Sequence, residues 1–374
     1  FGFLRTGQER MLSNPYLVFV HQPGRGVPAW TGSSLLFQAC FAAVSAGLLM
    51  GLAALFQIVG APVGLPPVLV VLALGIPFLL LRDHLRAISA AHEKFGTALL
   101  IDLGVSAIQL GGLVALNAFA EVTIPRVAAL LGFACLVPAG LWWLVTWPRL
   151  ELDWDQVGQD WLESWHYSRW LVLARTLGIG GYFAVPWLVV FFLGESEAGI
   201  FATCSAVVGL SLMFLNGANN FFQPRTVKAN QDRGVSGMGR VIVTALLVIG
   251  SFLTAVSTLL FFAGGTVMQM FGPAYTDYGD LAFWLSLSML AVSVSIVCGN
   301  GFAALRCPQG YFWGELSYSL VAVGLSIVLI PWLGLNGAAL ALVAAGLAAS
   351  VVTSCTLIPL IREAWRREAT EGRP

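Results

Sequence analysis

Long apolar runs are the feature that most constrains what this chain can fold into. A membrane-spanning helix needs about 20 apolar residues, and the sequence contains ten runs of about that length. They lie near residues 35–59, 65–81, 97–120, 127–148, 169–193, 198–222, 240–263, 281–305, 311–333 and 335–361. The runs lack the short apolar–polar alternation of a membrane β-barrel. The sequence therefore predicts an all-α polytopic membrane protein.

The charge composition excludes several classes of protein. Only 10% of the residues are charged, whereas a soluble domain carries about 25%. A disordered chain would be richer in charge and poorer in aromatic residues. The 19 basic and 19 acidic residues give a formal net charge of zero, so there is no global basic field to attract nucleic acid. We expect no nucleic-acid partner.

The distribution of lysine and arginine predicts the orientation of the chain. Seventeen of the 19 basic residues fall in one alternating set of segments, and the opposite set contains only Arg126. The rich set comprises residues 1–34, 82–96, 149–169, 223–240, 305–311 and 362–374. Cytoplasmic loops carry the excess of Lys and Arg. We therefore expect both ends of this chain on the cytoplasmic side of a bacterial inner membrane.

The histidines and cysteines give no pattern typical of a metal or redox site. All four histidines fall in segments predicted to be cytoplasmic loops, so we expect none of them in a buried core site. They are His21, His84, His92 and His166. The six cysteines form no CxxC pair and are interpreted as small packing residues. We expect neither a metal nor a cofactor.

Two parts of the sequence look like copies of one helical unit. In each copy, a Leu-Arg pair precedes a helix with an acid about one turn inside it and a serine four residues later. Residues i and i+4 share a helix face. The matched positions are Leu85-Arg86 with Leu305-Arg306, Asp102 with Glu315, Ser106 with Ser319, and, roughly, Gln109 with Ser326. Both copies have the same predicted orientation, which indicates parallel repeats of the kind found in transporters.

The repeat predicts the domain organisation. We expect an N-terminal helical lobe over 1–148, a linker over 149–168, a C-terminal lobe over 169–361 and a cytoplasmic tail over 362–374. The first lobe has four predicted spans and the second has six. If the lobes match, two helices precede Phe1 in a protein of six plus six spans. The linker places four apolar residues at helical spacing beside an acidic face, which is typical of an interfacial helix: Trp154, Val157, Trp161 and Trp165.

Arg175 is the basic residue that falls inside a predicted span. At six residues into that span, it lies about 9 Å deep at 1.5 Å per residue. Gly178 and Tyr182 lie on about the same helix face. One interpretation is a cavity arginine that binds phosphate through its planar fork, with Tyr182 beside it. The alternative is an arginine whose side chain extends to the cytoplasmic interface.

Asp102 and Glu315 have two open interpretations. They could form a cytoplasmic gate by pairing with arginines of the opposite half, for which Arg86 is a candidate. The alternative is that each acid stabilises the N-terminus of its helix through the helix dipole. Both acids open helices that run outward from the cytoplasm, so the sequence does not decide between the two roles.

Several polar residues could line a cavity or join helices. Ser286, Ser293 and Asn300 recur at a spacing of seven, and Asn216, Asn219 and Asn220 cluster near the end of another span. Polar side chains in a span either bond across helices or face a lumen. The candidates for contact with a substrate, besides Arg175 and Tyr182, are Arg306, Asn300, Asn216, Asn220 and Gln109.

The segments LLLRDHLRAISAAHEKFGTALLIDL, SRWLVLARTLG and MFGPAYTDYGDLAFWLSLSMLAVSVSIVCGNGFAALRCPQGYF carry a family resemblance. Their order and spacing resemble the polysaccharide-transport, O-antigen flippase-like branch of the multidrug/oligosaccharidyl-lipid/polysaccharide exporter superfamily. The similarity covers nearly the whole chain. It implies a V-shaped, two-lobed, MATE-like exporter that moves a lipid-linked oligosaccharide to the outer leaflet. The resemblance also implies that cationic residues lining the cavity hold the diphosphate. Arg175, in the segment SRWLVLARTLG, is the first residue to which the resemblance assigns this role.

Two other functions compete with the flippase. A membrane glycosyltransferase, polymerase or ligase would need positioned acids, bases or metal ligands, and the short predicted outer loops offer few, so we expect no enzyme. An ion-coupled exporter of drugs or metabolites could use the same fold, because fold does not fix substrate. We expect a lipid-linked oligosaccharide and the bilayer as partners, with polymerase or glycosyltransferase machinery as a further one.

Overall fold

The computed structural model describes residues 2–20, 26–60, 64–119, 122–146 and 151–371. The predicted ends of two spans, at residues 120 and 148, lie outside these ranges, as do His21 and the start of the predicted linker. Every long element in the described ranges is a helix, which confirms the all-α prediction. The chain divides into two compact units, Phe1–Ser168 and Arg169–Pro374.

Unit 1 (Phe1–Ser168) begins with short helices and continues with four long ones. Helices α1 (Gly2–Gln8) and α2 (Asn14–Phe19) flank a π-helical turn at Glu9–Ser13. The long helices are α3 (Val27–Val59), α4 (Leu65–Ala91), α5 (Phe95–Phe119) and α6 (Ile124–Thr146). Helix α7 (Trp154–Leu193) starts within this unit, over part of the predicted linker, and continues past the boundary.

Unit 2 (Arg169–Pro374) contains the rest of α7 and four further helices. They are α8 (Glu195–Gln269), α9 (Gly279–Ala304), α10 (Gln309–Leu333) and α11 (Leu335–Glu371), with a 3₁₀ turn at Pro273–Tyr278. In the described ranges, the nine helices α3 to α11 are long and apolar enough to cross a membrane. Helix α8 contains two of the predicted spans, 198–222 and 240–263. Each of the ten predicted spans therefore falls on one of these nine helices.

Four helix contacts of unit 1 have equivalents in unit 2. In unit 1, α4 packs against α3, α5 and α6, and α5 packs against α6. In unit 2, α9 packs against α8, α10 and α11, and α10 packs against α11. The matched sequence positions place α4 opposite α9 and α5 opposite α10 in the repeat. Each unit is therefore built around its own equivalent central helix.

Small residues allow the central helices to approach their neighbours closely. A Cβ atom at Gly132 of α6 would lie 2.8 Å from the Cα atom of Gly75 of α4. In unit 2, a Cβ at Gly346 of α11 would lie 2.9 Å from the Cβ of Ala291 of α9. Close backbone approach through small residues is a common basis of helix packing in membranes.

Helix α4 corrects one predicted boundary. The sequence placed the end of this span at residue 81 and a cytoplasmic loop at 82–96, but the helix continues to Ala91. It then ends at His92, and Glu93 adopts a φ of 56°. The hydropathy pattern marks only the apolar part of a helix, so it cannot show how far the helix extends beyond that part.

Helix α8 is interrupted at Gly234. This glycine has a φ of 65° and a ψ of −161°, which are non-helical values that residues with a side chain rarely adopt. The carboxylate of Glu368, on the last turns of α11, accepts hydrogen bonds from the backbone N–H of Val235 at 3.0 and 3.2 Å. A side chain from a distant helix thus caps the helical segment that follows the break.

Candidate functional site

The candidate site in unit 2 is the contact between α7 and α10, here called the α7–α10 seam. On α7, the buried positions recur with helical spacing, at Leu171, Ala174, Gly178, Gly181, Val185 and Val189. Gly178 and Gly181 have no side chain, so α10 can approach the α7 backbone at these positions. Ala322 of α10 packs in the same buried cluster as Val185 and Val189.

Two polar residues of α10 face the glycines of α7. A Cβ at Gly178 would overlap the carboxylate of Glu315, and one at Gly181 would lie 2.6 Å from Ser319 Oγ. The Ser319 hydroxyl donates a hydrogen bond to the carbonyl oxygen of Leu177 at 2.8 Å. Gly178 faces Glu315, and Gly181, three residues later, faces Ser319, four residues later. Helices α7 and α10 therefore run in the same direction.

Arg175 lies one turn before Gly178 on the same helix. Its side chain is half-buried, and its Nε atom is buried without a hydrogen-bond partner among the described residues. Neither Arg175 nor Glu315 forms an ion pair within the described ranges. The seam therefore holds a cation at Arg175 and an anion beside Gly178, three residues later on α7, and both are without an ionic partner in the described ranges.

Tyr182 lies further along α7 but is 39% exposed, and its ring packs edge to face against Phe183 at 5.5 Å between centroids. Tyr318 of α10 is partly buried against the core of unit 2. Sequence reasoning did not select Tyr318, although it lies three residues after Glu315 and therefore on nearly the same face of α10.

The acid at the matched position in unit 1 has a different environment. Arg82 Nη2 lies 2.5 Å from Asp102 Oδ1, and Arg86 Nε lies 3.0 Å from Asp102 Oδ2. Arg5 Nε lies 2.6 Å from Asp83 Oδ2, and Arg82 also contacts Asp83 at 3.2 Å. Asp102 thus pairs with arginines of its own unit. The predicted gate, with pairing to the opposite half, stays a prediction.

The asparagine candidates separate into buried and exposed residues. Asn300 is only 3% exposed, and its Nδ2 atom donates to Asn219 Oδ1 of α8 at 3.0 Å. Ser286, on the same stripe of α9, lies 3.0 Å from Ser257 of α8. Asn216 and Asn220 are exposed on α8. For Asn300 and Ser286, the contacts correspond to hydrogen bonding between helices.

The two remaining candidates, Arg306 and Gln109, lie outside α7 and α10. Arg306 is exposed and follows the end of α9 with a φ of 57°, outside the helix. Gln109 is half-buried on α5 in unit 1. Their predicted contact with a substrate stays a prediction.

His84 corrects the expectation that no histidine occupies a buried core site. It is fully buried in α4, with Nδ1 3.2 Å from Ser13 Oγ and Nε2 2.8 Å from Ser34 Oγ. Gln8 Nε2 extends the network by donating to Ser13 Oγ at 3.1 Å and to Gln38 Oε1 at 3.0 Å. The prediction was wrong because it assumed that α4 ends before His84.

A second chain of hydrogen bonds lies beside this network. Thr31 donates to the carbonyl oxygen of Val27, so it accepts from the Tyr16 hydroxyl at 2.9 Å, and the Tyr16 oxygen lies 3.0 Å from His92 Nε2. Burial raises the pKa of Tyr16, so the hydroxyl keeps its proton. A small cavity of about 10 Å³ adjoins both chains and is lined by Leu12, Tyr16, Trp30, Ser34, Phe37 and Ser164.

The chemistry available at these sites is ionic and hydrogen-bonding. Among the residues that the structure describes, no group of three or more His, Cys, Asp or Glu side chains could hold a metal ion. The α7–α10 seam presents one guanidinium, one carboxylate and hydroxyl groups. Such a set can bind a charged group.

Comparisons with solved structures identify the fold. No protein-family model matches the sequence, and no curated protein matches it. A MATE protein in complex with MaD5 superposes with a TM-score of 0.86 at 13% identity, over 98% of this chain and 86% of that one. An outward-facing multidrug resistance MATE transporter of the MOP superfamily gives 0.83 at 15% identity, over 97% and 85%.

A third similar structure is a MOP superfamily transporter from Pyrococcus furiosus, described as having a binding pocket of reverse polarity that suggests a different function. Its TM-score is 0.79 at 13% identity, over 96% of this chain and 85% of that one. At such low identity, the likeness concerns the arrangement of the helices. This chain has the fold of the MATE transporters of the MOP superfamily.

Proposed function

We propose that this chain is a membrane transporter that moves a lipid-linked, polyprenyl-diphosphate oligosaccharide from the cytoplasmic to the outer leaflet by alternating access. The sugar–diphosphate head group cannot cross hydrocarbon unaided, since its charges and hydroxyls would lose their water. A MATE-type fold supports transport. The sequence resemblance to polysaccharide transporters supports this substrate class.

The observation that carries the proposal is Arg175. An ionisable side chain inside a membrane-spanning helix is costly and marks a functional site by default. Arg175 is half-buried, forms no ion pair among the described residues and has a buried Nε atom without a partner. A guanidinium in this state fits a phosphate oxygen, which it can bind through parallel hydrogen bonds.

The test is a flipping assay in vesicles that contain the purified full chain and a fluorescent, short-chain polyprenyl-diphosphate sugar. Loss of a charged hydrogen bond is worth about 1.5–3 kcal/mol, so Arg175→Ala should slow flipping by about tenfold or more. Arg366→Ala, an exposed arginine near the end of α11, is the matched control and should leave the rate unchanged. Equal rates for Arg175→Ala and the wild type would contradict the proposal.

The Glu315 carboxylate supports a second candidate function, which is the export of cationic drugs or metabolites. A carboxylate without an ionic partner inside a span could bind a cation, and one structure with the same fold is a multidrug resistance transporter. In the same vesicles, efflux of a cationic dye that depends on Glu315, without flipping of the diphosphate lipid, would establish this function instead.

A further inference from the structure

The α7–α10 seam holds two opposite charges that do not contact each other. The Glu315 carboxylate lies against Gly178, and Arg175 lies three residues earlier on the same helix. Side chains at i and i+3 of a helix are neighbours, about 5–6 Å apart at their Cβ atoms. Because Gly178 has no side chain, no atom beyond its Cα separates the carboxylate from the α7 backbone at this point.

Arg175 can therefore have two anionic partners. One is the phosphate of a substrate, which the proposed function requires, and the other is the carboxylate of Glu315. A guanidinium binds carboxylate and phosphate with the same fork geometry. No described residue forms an ion pair with Arg175, and its Nε atom has no hydrogen-bond partner among them.

We infer that Glu315 is an internal competitor for the anion site at Arg175. The carboxylate exchanges between the space beside Gly178, where the structure places it, and the guanidinium one turn earlier on α7, which it neutralises. A diphosphate bound at Arg175 confines the carboxylate to the space beside Gly178. This exchange weakens the substrate complex, so that the anion can leave after transport. The inference rests on the proposed function, because it presupposes an anionic substrate at Arg175.

The comparison with unit 1 supports this role. Asp102, at the position matched to Glu315, is held by Arg82 and Arg86 of the neighbouring helix α4. In unit 2, α9 ends at Ala304, so Arg306 is not presented on a helix in the way that Arg86 is. Glu315 thus lacks the pair of arginines that fixes Asp102, and Arg175 is the cation one turn away along α7.

The test measures the Kd of the reconstituted full chain for geranyl diphosphate, a water-soluble isoprenyl diphosphate. Removing the competitor by Glu315→Gln should tighten binding by about tenfold, which corresponds to about 1.4 kcal/mol. The same variant should slow multiple-turnover flipping because release becomes slower. Glu195→Gln, an exposed acid in the first turn of α8, controls for the loss of one negative charge and should change neither quantity.

The double variant separates direct competition from a general electrostatic effect. In an Arg175→Ala background, Glu315→Gln should leave the Kd unchanged, because no guanidinium remains to compete for. Tightening of the same size in that background, or none in the wild-type background, would overturn the inference. If Arg175→Ala alone does not weaken geranyl diphosphate binding, the proposed function itself fails at this site.

Discussion

At the scale of single residues, Asp102 and Glu315 show how one sequence position acquires two environments. Both lie about one turn inside a helix and precede a serine by four residues. Asp102 contacts two arginines of α4, whereas Glu315 contacts the bare backbone of α7 at Gly178. The spacing predicted that each acid shares a face with its serine. It could not predict the partners, because these depend on where other helices end.

His84 gives a prediction at the same scale. Both of its ring nitrogens contact serine hydroxyls inside unit 1, and a buried polar group left without a partner costs about 1–3 kcal/mol. We expect His84→Phe to lower the thermal unfolding midpoint of the purified protein in detergent. His166→Phe, at an exposed position on α7, should leave the midpoint unchanged. A His84→Phe protein as stable as the wild type would show that the network contributes nothing.

At the scale of helices, the apolar runs predicted the positions of the long elements but not their ends. The predicted span 65–81 lies within α4, which begins at Leu65 and continues to Ala91. The runs 198–222 and 240–263 lie within α8. The break within α8, for example, depends on the φ of 65° at Gly234 and on the cap that Glu368 provides at Val235. Hydropathy contains no information about these contacts.

The Glu368 cap can be tested directly. Glu368→Ala removes the acceptor for the N–H of Val235, and loss of an N-terminal cap costs about 1 kcal/mol. We expect faster hydrogen–deuterium exchange of the amides at 235–238. The matched control is Glu363→Ala, an exposed acid on the same helix that pairs with Arg367. Unchanged exchange at 235–238 in Glu368→Ala would mean that the carboxylate does not protect this helix start.

The packing of α10 on α7 gives another prediction. A Cβ at Gly178 would overlap the Glu315 carboxylate, and overpacking costs about 1–3 kcal/mol. We expect Gly178→Ala to lower the thermal unfolding midpoint of the purified protein. Shortening the opposing side chain, in the double variant Gly178→Ala with Glu315→Ala, should recover most of the loss. If the double variant is no more stable than Gly178→Ala, the two residues are not in contact.

At the scale of the whole molecule, two units repeat one set of helix contacts around α4 and α9. The matched Leu-Arg pairs and the matched acids indicated this repeat from the sequence. The fold itself is that of the MATE transporters. Arg175 could be selected from sequence alone because it is the basic residue within a predicted span. The space between Gly178 and Gly181 that holds the Glu315 side chain could not be predicted from sequence. The role of these two glycines depends on the packing of α10 against α7.

The central claim is that Arg175 binds an anionic lipid-linked substrate during transport. The most direct measurement compares the flipping rates of two probes in the same vesicles, a polyprenyl-diphosphate sugar and an uncharged polyprenyl-linked sugar. The account predicts that the wild type favours the diphosphate probe and that Arg175→Ala lowers this preference by about tenfold or more. An unchanged preference in Arg175→Ala, or equal rates for both probes in the wild type, would contradict it.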